Sequence, residues 1–122
     1  MLGYTTVGTR DIAAARAFYT AVLAPLAATV LYENDREIYW GRDAASPKFA
    51  VVLPFDGEPA TAANGSMVAI RAESREQVAQ AHAAAIRSGA SDEGAVGPRG
   101  EGPFYGGYFR DLDGHKICVF TT

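Results

Sequence analysis

The sequence contains few of the residues that build disulfides and metal clusters, with one cysteine and two histidines among its 122 residues. A single cysteine, Cys118, excludes an internal disulfide and any metal cluster that needs several cysteines. No apolar run approaches the roughly 20 residues that a membrane span needs. The first ten residues show neither the basic nor the apolar segment of a secretory signal peptide. We therefore expect a cytoplasmic domain with no membrane partner.

The charge is not strongly biased towards either sign. Eleven Lys and Arg residues against fourteen Asp and Glu residues give a formal net charge of −3. This mild acidity argues against nucleic acid as a partner, because a nucleic-acid binder carries a basic patch. The length is that of one domain, and the larger apolar residues are numerous enough for one core.

The first half of the chain predicts a strand, a helix and three short strands. Apolar residues recur at helical spacing over residues 12–23, and Asp11 stands where it can cap the first turn. Pro25 ends this helix because its ring cannot continue one. The predicted strands of this half are Tyr4–Thr9, Thr29–Glu33, Glu37–Gly41 and Lys48–Pro54.

The second half repeats this order. Ser74 and Gln77 have the spacing of a capping box, in which Ser accepts from the third helical amide and Gln reaches back to the cap amide. The pattern predicts a helix over about 75–88, which Gly89 ends in a left-handed conformation. A glycine-rich loop is predicted from Ala90 to Pro103, which leaves the middle strand of this half open. The predicted strands are Met67–Ala72, Tyr105–Arg110 and Lys116–Thr121.

The two halves align as a duplication. The segment Val7–Asp11 superposes on Val68–Ala72, an offset of half the chain. This order predicts one α+β domain over 1–122, built from module one at about 1–61 and module two at about 62–122. An unrelated α+β fold accounts for the same order less economically.

Two segments resemble a known superfamily. Asn64–Ile70 with the helix after it, and Tyr108–Ile117 with its Arg-Asp-x-Asp-Gly-x-Lys-Ile ending, are similar to the second module of the vicinal oxygen chelate proteins. These include glyoxalase I, bleomycin resistance proteins and extradiol dioxygenases. The resemblance implies two tandem βαβββ modules that form a curved mixed sheet around a pocket. It also implies a homodimer.

Metal-dependent members of that superfamily use His, His and Glu, and the resemblance carries these places onto Tyr4, Met67 and Cys118. A protonated tyrosine and a thioether are poor ligands for the usual divalent ions, and one thiolate does not make a site. His82 is expected to be a packed or partly exposed helix residue, and His115 a solvated turn residue. We therefore expect no metal and no cofactor.

Aromatic residues concentrate in two stretches, and a concave aromatic surface suits a small planar ligand, although such residues also form plain cores. Residues 94–107 hold six of the 13 glycines and are expected to form a mobile lid, from which Arg99 pairs with an anionic ligand. A floppy surface loop with a solvated arginine is the alternative. The candidate ligand-binding residues are Tyr4, Trp40, Phe49, Met67, Arg99, Tyr105, Tyr108 and Cys118.

Two functions remain open from the residues. One is metal-independent binding of a small hydrophobic or aromatic molecule, as in the bleomycin resistance branch. The other is a glyoxalase-like lyase, epimerase or dioxygenase with an atypical site, whose catalytic residues are not identified. One hypothesis makes Cys118 a nucleophile, with Lys116 two residues away on the same face of the strand. The alternative is an inert thiol within a strand. A third interpretation is that no ligand binds, because Tyr4, Met67 and Cys118 fill a pocket that has collapsed.

Overall fold

The structure is a computed structural model that describes all residues from 1 to 122. It contains two helices and eight strands, in the order expected for two modules. Neither helix is long and apolar enough to cross a membrane. The elements of module one are β1 Tyr4–Gly8, α1 Ile12–Leu23, β2 Thr29–Glu33, β3 Glu37–Gly41 and β4 Lys48–Val52. The elements of module two are β5 Met67–Arg71, α2 Arg75–Arg87, β6 Ser91–Pro98, β7 Tyr105–Arg110 and β8 Lys116–Thr121.

Each module forms its own four-stranded sheet with the same topology. The strand orders are β1-β4-β3-β2 and β5-β8-β7-β6, so the first strand of each module lies beside its last strand. Those two strands pair in parallel, and the remaining pairs are antiparallel. The βαβββ repeat and the α+β class are confirmed. The two sheets remain separate, and β1 and β5 are each left as an edge strand.

Both helices begin where a side chain can accept from the first turn. Asp11 accepts from the Ala14 amide at 3.0 Å, as its sequence position predicts. Ser74 accepts from the Gln77 amide at 3.1 Å. The Gln77 side chain reaches back to the amide of Glu73 at 2.8 Å, one residue before the cap amide that the capping-box pattern predicts.

The helix ends also follow local chemistry. After α1 the chain makes one 3-10 turn over Ala24–Leu26 that contains Pro25. After α2 it reverses at Gly89, which has a φ of 107°. Only glycine adopts such a φ without strain, so this position ends the helix as predicted.

The predicted loop from Ala90 to Pro103 is wrong over most of its length. Residues Ser91–Pro98 form β6, which pairs antiparallel with β7 through two irregularities of register. Glycine weakens a strand on its own, but here the close approach of a neighbouring side chain favours it. A Cβ on Gly94 would lie 3.0 Å from Tyr108 Cδ2. Module two therefore has its full set of strands, and only residues 99–104 connect β6 to β7.

One core joins the two modules. The helices pack against each other and lie between the two sheets, so each sheet has an inner face towards the helices and an outer face away from them. Phe18 of α1 and Phe109 of β7 meet edge to face, with ring centroids 6.1 Å apart. Seventeen buried residues from both modules form this single cluster. Burial of the shared apolar surface holds the modules together.

Candidate functional site

A cleft of about 610 Å³ lies between the two edge strands. Tyr4 of β1 stands on one side, and all five residues of β5, Met67–Arg71, stand on the other. The floor is apolar, with Leu26 from the 3-10 turn and with Trp40 and Phe49 from the inner face of the first sheet. The cleft thus exists because β1 and β5 each pair on one side only.

Trp40 and Phe49 form a fixed aromatic floor. Their ring centroids lie 6.3 Å apart, and Tyr19 packs on Phe49 at 4.6 Å. The Trp40 indole Nε1 donates to the Thr20 hydroxyl at 3.3 Å, and the side chain is only 1% exposed. Because its edge is hydrogen-bonded and its faces are packed, this floor is formed before any ligand arrives.

The mouth of the cleft carries exposed apolar side chains. Tyr4 is 58% exposed and Met67 is 46% exposed. The Tyr4 ring meets Tyr39 edge to face at 5.5 Å, so it rests on the outer face of the first sheet. Both side chains border the cleft and contact solvent. The cleft is therefore not collapsed on itself at the places that the superfamily uses for metal ligands.

Three cationic side chains also line the cleft, namely Arg42, Lys48 and Arg71, and no acidic residue does. They come from the end of β3, the start of β4 and the end of β5. Sequence reasoning missed all three as site residues. The alternation of β5 contained the signal for Arg71, since it places Arg71 on the same face as Met67.

Tyr108 and Cys118 lie together on the outer face of the second sheet, away from the cleft. They are register partners on β7 and β8. The Arg99 guanidinium lies 5.3 Å and the Lys116 ammonium group 5.6 Å from the Tyr108 ring centroid, so two cations lie close to this ring. Cys118 does not line the cleft, because β8 is one strand further from it than β5, but it shares the outer face of the second sheet with its register partner Ala69.

The Cys118 thiol is buried, and burial raises its pKa above the ordinary value. Its neighbours Tyr108, Arg99 and Lys116 lower that pKa by less than burial raises it. A thiol is nucleophilic only as the thiolate, so Cys118 is protonated and unreactive at neutral pH. Burial, followed by the nearby Cys118 side chain, likewise raises the pKa of Tyr108.

Arg99 does not belong to a lid. Its guanidinium donates to the backbone carbonyls of Ala95 at 2.6 Å, Gly97 at 3.0 Å and Pro98 at 3.2 Å. Residues 94–98 and 105–107 of the expected lid are strand residues. The predicted lid over 94–107 is therefore wrong, and Arg99 lies outside the cleft with its guanidinium hydrogen-bonded to the irregular end of β6.

Tyr105 faces the shared core from β7 rather than the cleft. The Arg75 guanidinium lies 4.6 Å from the centroid of its ring, from the first turn of α2. Of the eight candidate ligand-binding residues, four line the cleft and four lie elsewhere on the second sheet and its connection. The four that line the cleft are Tyr4, Trp40, Phe49 and Met67.

The two histidines serve the packing of the modules. His82 is 8% exposed, and its Nε2 lies 3.2 Å from the Tyr108 carbonyl and 3.3 Å from Asp92 Oδ1. His115 Nε2 lies 2.6 Å from the carbonyl of Gly8, in the other module. The prediction of a solvated His115 is therefore wrong, because the turn that contains it packs against the end of β1.

The residues of this chain do not fit a divalent metal ion. No group of three or more His, Cys, Asp or Glu side chains lies close enough together to hold one. Tyr4 and Met67 border the cleft, whereas Cys118 lies outside it with its thiol protonated. A phenol, a thioether and a thiol are also the wrong donors for such an ion.

Two βαβββ modules in one chain are the architecture that the vicinal oxygen chelate proteins share. The model of the Glyoxalase/Bleomycin resistance protein/Dioxygenase superfamily matches residues 1–119. The chain belongs to that superfamily. No protein of curated function shows significant sequence similarity to it.

Solved structures agree with this assignment. A glyoxalase/bleomycin resistance protein from Albidiferax ferrireducens T118 is 32% identical, with a TM-score of 0.91 over 100% of this chain and 98% of that one. A glyoxalase-related enzyme from Fulvimarina pelagi is 18% identical, with a TM-score of 0.77 over 100% and 88%. A lactoylglutathione lyase from Agrobacterium tumefaciens is 17% identical, with a TM-score of 0.70 over 99% and 92%. The last two show likeness of fold.

Proposed function

We propose that this protein binds a small hydrophobic or aromatic molecule in the cleft between β1 and β5, and that it needs no metal to do so. The observation that carries the proposal is the preformed floor of Trp40 and Phe49 beneath an open mouth. The cleft volume of about 610 Å³ lies within the roughly 300–1,000 Å³ that is typical of small-molecule pockets. An apolar ligand would pack against the lining of the cleft and displace water from its exposed apolar surface, which includes Tyr4 and Met67.

The metal independence rests on the donor set. The superfamily's usual His, His and Glu are replaced by Tyr4, Met67 and Cys118, and only the first two border the cleft. Neither is a strong ligand for a hard or borderline ion at neutral pH. The cleft therefore offers surface for binding rather than an electrophilic centre.

The test is a titration with apolar molecules that do not absorb at the excitation or emission wavelengths of tryptophan. Binding is followed through the fluorescence of Trp40, the only tryptophan. We expect saturable quenching or a spectral shift that is unchanged by EDTA. Ala69→Phe, on the exposed wall of the cleft, should weaken binding by filling it. Ala83→Phe, at an exposed position of α2, is the matched control and should leave binding unchanged.

Two results would contradict the proposal. One is the absence of saturable binding across the panel. The other is turnover of a hemithioacetal or a catechol that appears only with added Ni²⁺, Zn²⁺, Mn²⁺ or Fe²⁺, which would support the alternative of a lyase or dioxygenase. Micromolar, stoichiometric metal binding would remove the metal-independent part of the proposal alone.

The same proposal includes a homodimer in the cytoplasm, with neither nucleic acid nor membrane as a partner. Its support is the resemblance to the vicinal oxygen chelate proteins, which implies a homodimer. Light scattering after gel filtration should give twice the chain mass of 12.9 kDa. A mass of one chain would contradict the dimer.

A further inference from the structure

The charged side chains that line the cleft are all positive. Arg42, Lys48 and Arg71 line it together with apolar residues, and no Asp or Glu side chain does. This is unusual for a chain whose net charge is −3. A cleft with an apolar floor and only cations at its border attracts negatively charged ligands.

The three cations lie at one end of the cleft. Lys48 opens β4 beside the start of β1, and Arg42 directly follows β3, which runs antiparallel to β4. The Arg42 guanidinium forms an ion pair with Glu73, with 2.5 Å between Nη1 and Oε1. Glu73 lies two residues after Arg71 in the sequence. That ion pair brings the end of β5 to the start of β4 across the cleft. The cations therefore surround one end instead of being spread along it.

Two of the three charges have no carboxylate partner. The protein has five ion pairs, and neither Lys48 nor Arg71 takes part in any of them. Lys48 Nζ donates to the carbonyls of Ala44 and Ser46, both at 2.6 Å. Carbonyl oxygens orient an ammonium group without neutralising it. The Lys48 charge contributes to lowering the pKa of nearby Asp43, but the two groups form no ion pair, so the ammonium group is not neutralised.

Arg71 is held in the same way. Its Nη1 donates to the Thr122 hydroxyl at 2.8 Å, and its guanidinium lies 5.0 Å from the centroid of the Phe120 ring. The remaining guanidinium N–H groups have no protein acceptor. The nearby Asp43 carboxylate is engaged by the amides of Ala45 and Ser46 and by the Ser46 hydroxyl.

We infer that the ligand of the cleft is an amphipathic anion, with an apolar body against the apolar lining of the cleft and a carboxylate between Lys48 and Arg71. This inference rests on the proposed function, since it specifies the class of molecule that the same cleft binds. The planar guanidinium of Arg71 suits a carboxylate, and Lys48 adds a point charge. The apolar floor supplies most of the binding free energy, and the cationic end selects the charged head.

The test compares decanoate with decanamide, which have the same chain and differ in the charge of the head group. Trp40 fluorescence reports both at concentrations below micelle formation. We expect decanoate to bind about fivefold more tightly, the effect of roughly 1 kcal/mol from partly exposed charges. The advantage should disappear in roughly 0.5 M NaCl, because salt screens exposed charges.

Substitutions locate the head group. Lys48→Gln and Arg71→Gln should each reduce decanoate binding and leave decanamide binding unchanged, whereas Arg71→Lys should retain most of the preference. Arg87→Gln is the matched control, since Arg87 is exposed on α2 and forms no ion pair. Far-UV circular dichroism confirms that each variant is folded before it is titrated.

The outcomes separate this inference from the proposed function. Equal binding of decanoate and decanamide would overturn the anionic head group and leave apolar binding in place. Binding of neither, together with no binding across the wider apolar panel, would overturn both. A preference for decanoate that survives in both Lys48→Gln and Arg71→Gln would place the head group elsewhere and would also overturn the inference.

Discussion

The Tyr19 hydroxyl donates a hydrogen bond of 2.5 Å to Asp111 Oδ2, and so joins α1 of module one to the turn between β7 and β8 of module two. The other carboxylate oxygen, Oδ1, accepts from the amides of Asp113 at 3.0 Å and His115 at 2.9 Å. Both side chains are buried. Burial and the adjacent Asp111 carboxylate raise the pKa of Tyr19 well above its usual value, so the hydroxyl keeps its proton and remains the donor.

Tyr19→Phe should destabilise the protein by about 1–3 kcal/mol, because it leaves a buried carboxylate oxygen without one of its donors. Urea unfolding measures this loss. Tyr32→Phe is the control: the Tyr32 side chain is exposed, and its hydroxyl only accepts a bond from Asn34. We expect a change below about 0.5 kcal/mol for the control. Equal losses in the two variants would show that the bond to Asp111 contributes no specific stability.

The shared core predicts that the two modules unfold together. Ile117→Val in module two should lower stability by about 0.5–1.5 kcal/mol, the usual cost of removing a buried methylene group. Trp40 fluorescence reports module one, and far-UV circular dichroism reports both modules. The two signals should shift by the same amount. A Trp40 transition that does not move would mean that the modules unfold independently.

The Cys118 thiol should resist alkylation in the folded protein. It is 1% exposed, and burial raises its pKa. At about pH 8 we expect iodoacetamide to react roughly a hundredfold more slowly with the native chain than with the urea-unfolded chain, since reaction requires local opening. A cysteine introduced at the exposed position Ala83, in a Cys118→Ser background, should react at the unfolded rate. Comparable native rates for the two thiols would contradict the burial of Cys118.

Stability should decrease in acid because of surface carboxylates whose pKa is lowered in the folded state. The hydrogen bond from Arg110 lowers the pKa of Glu93 below 4.5, and hydrogen bonds from Ser46 lower that of Asp43 below 3.8. A lowered pKa means that the unfolded chain binds more protons in this range. The contribution is therefore complete above the unfolded values and is lost as the pH falls through the folded values.

Urea midpoints measured from about pH 7 to about pH 3 test this dependence. We expect little change down to about pH 5.5 and a progressive loss below about pH 4.5. Glu93→Gln and Asp43→Asn should each flatten the acidic limb of this curve, which means a smaller loss of stability below about pH 4.5. Glu101→Gln, at an exposed residue that forms no ion pair, should reproduce the original limb. An unchanged limb in the first two variants would mean that other groups cause the acid sensitivity.

The local elements could be predicted from the sequence because their causes are local. The bounds of α1, β2, β3, β7 and β8 are those that periodicity, caps and turns predict. β6 could not be predicted, because its glycines disfavour a strand by themselves. They are tolerated because β7 supplies the hydrogen bonds, and at Gly94 the Tyr108 ring leaves little room for a Cβ.

The sequence by itself determined the duplicated order of elements, the superfamily and the mismatch of Tyr4, Met67 and Cys118 with a metal site. Only the tertiary structure decided which side chains share a cleft. Periodicity tells which face of a strand a residue occupies, but not which strand lies at the edge. Because β5 is an edge strand and β8 is not, Met67 borders the cleft and Cys118 does not. The same packing brings Arg71 of module two to the end of the cleft where Arg42 and Lys48 of module one lie.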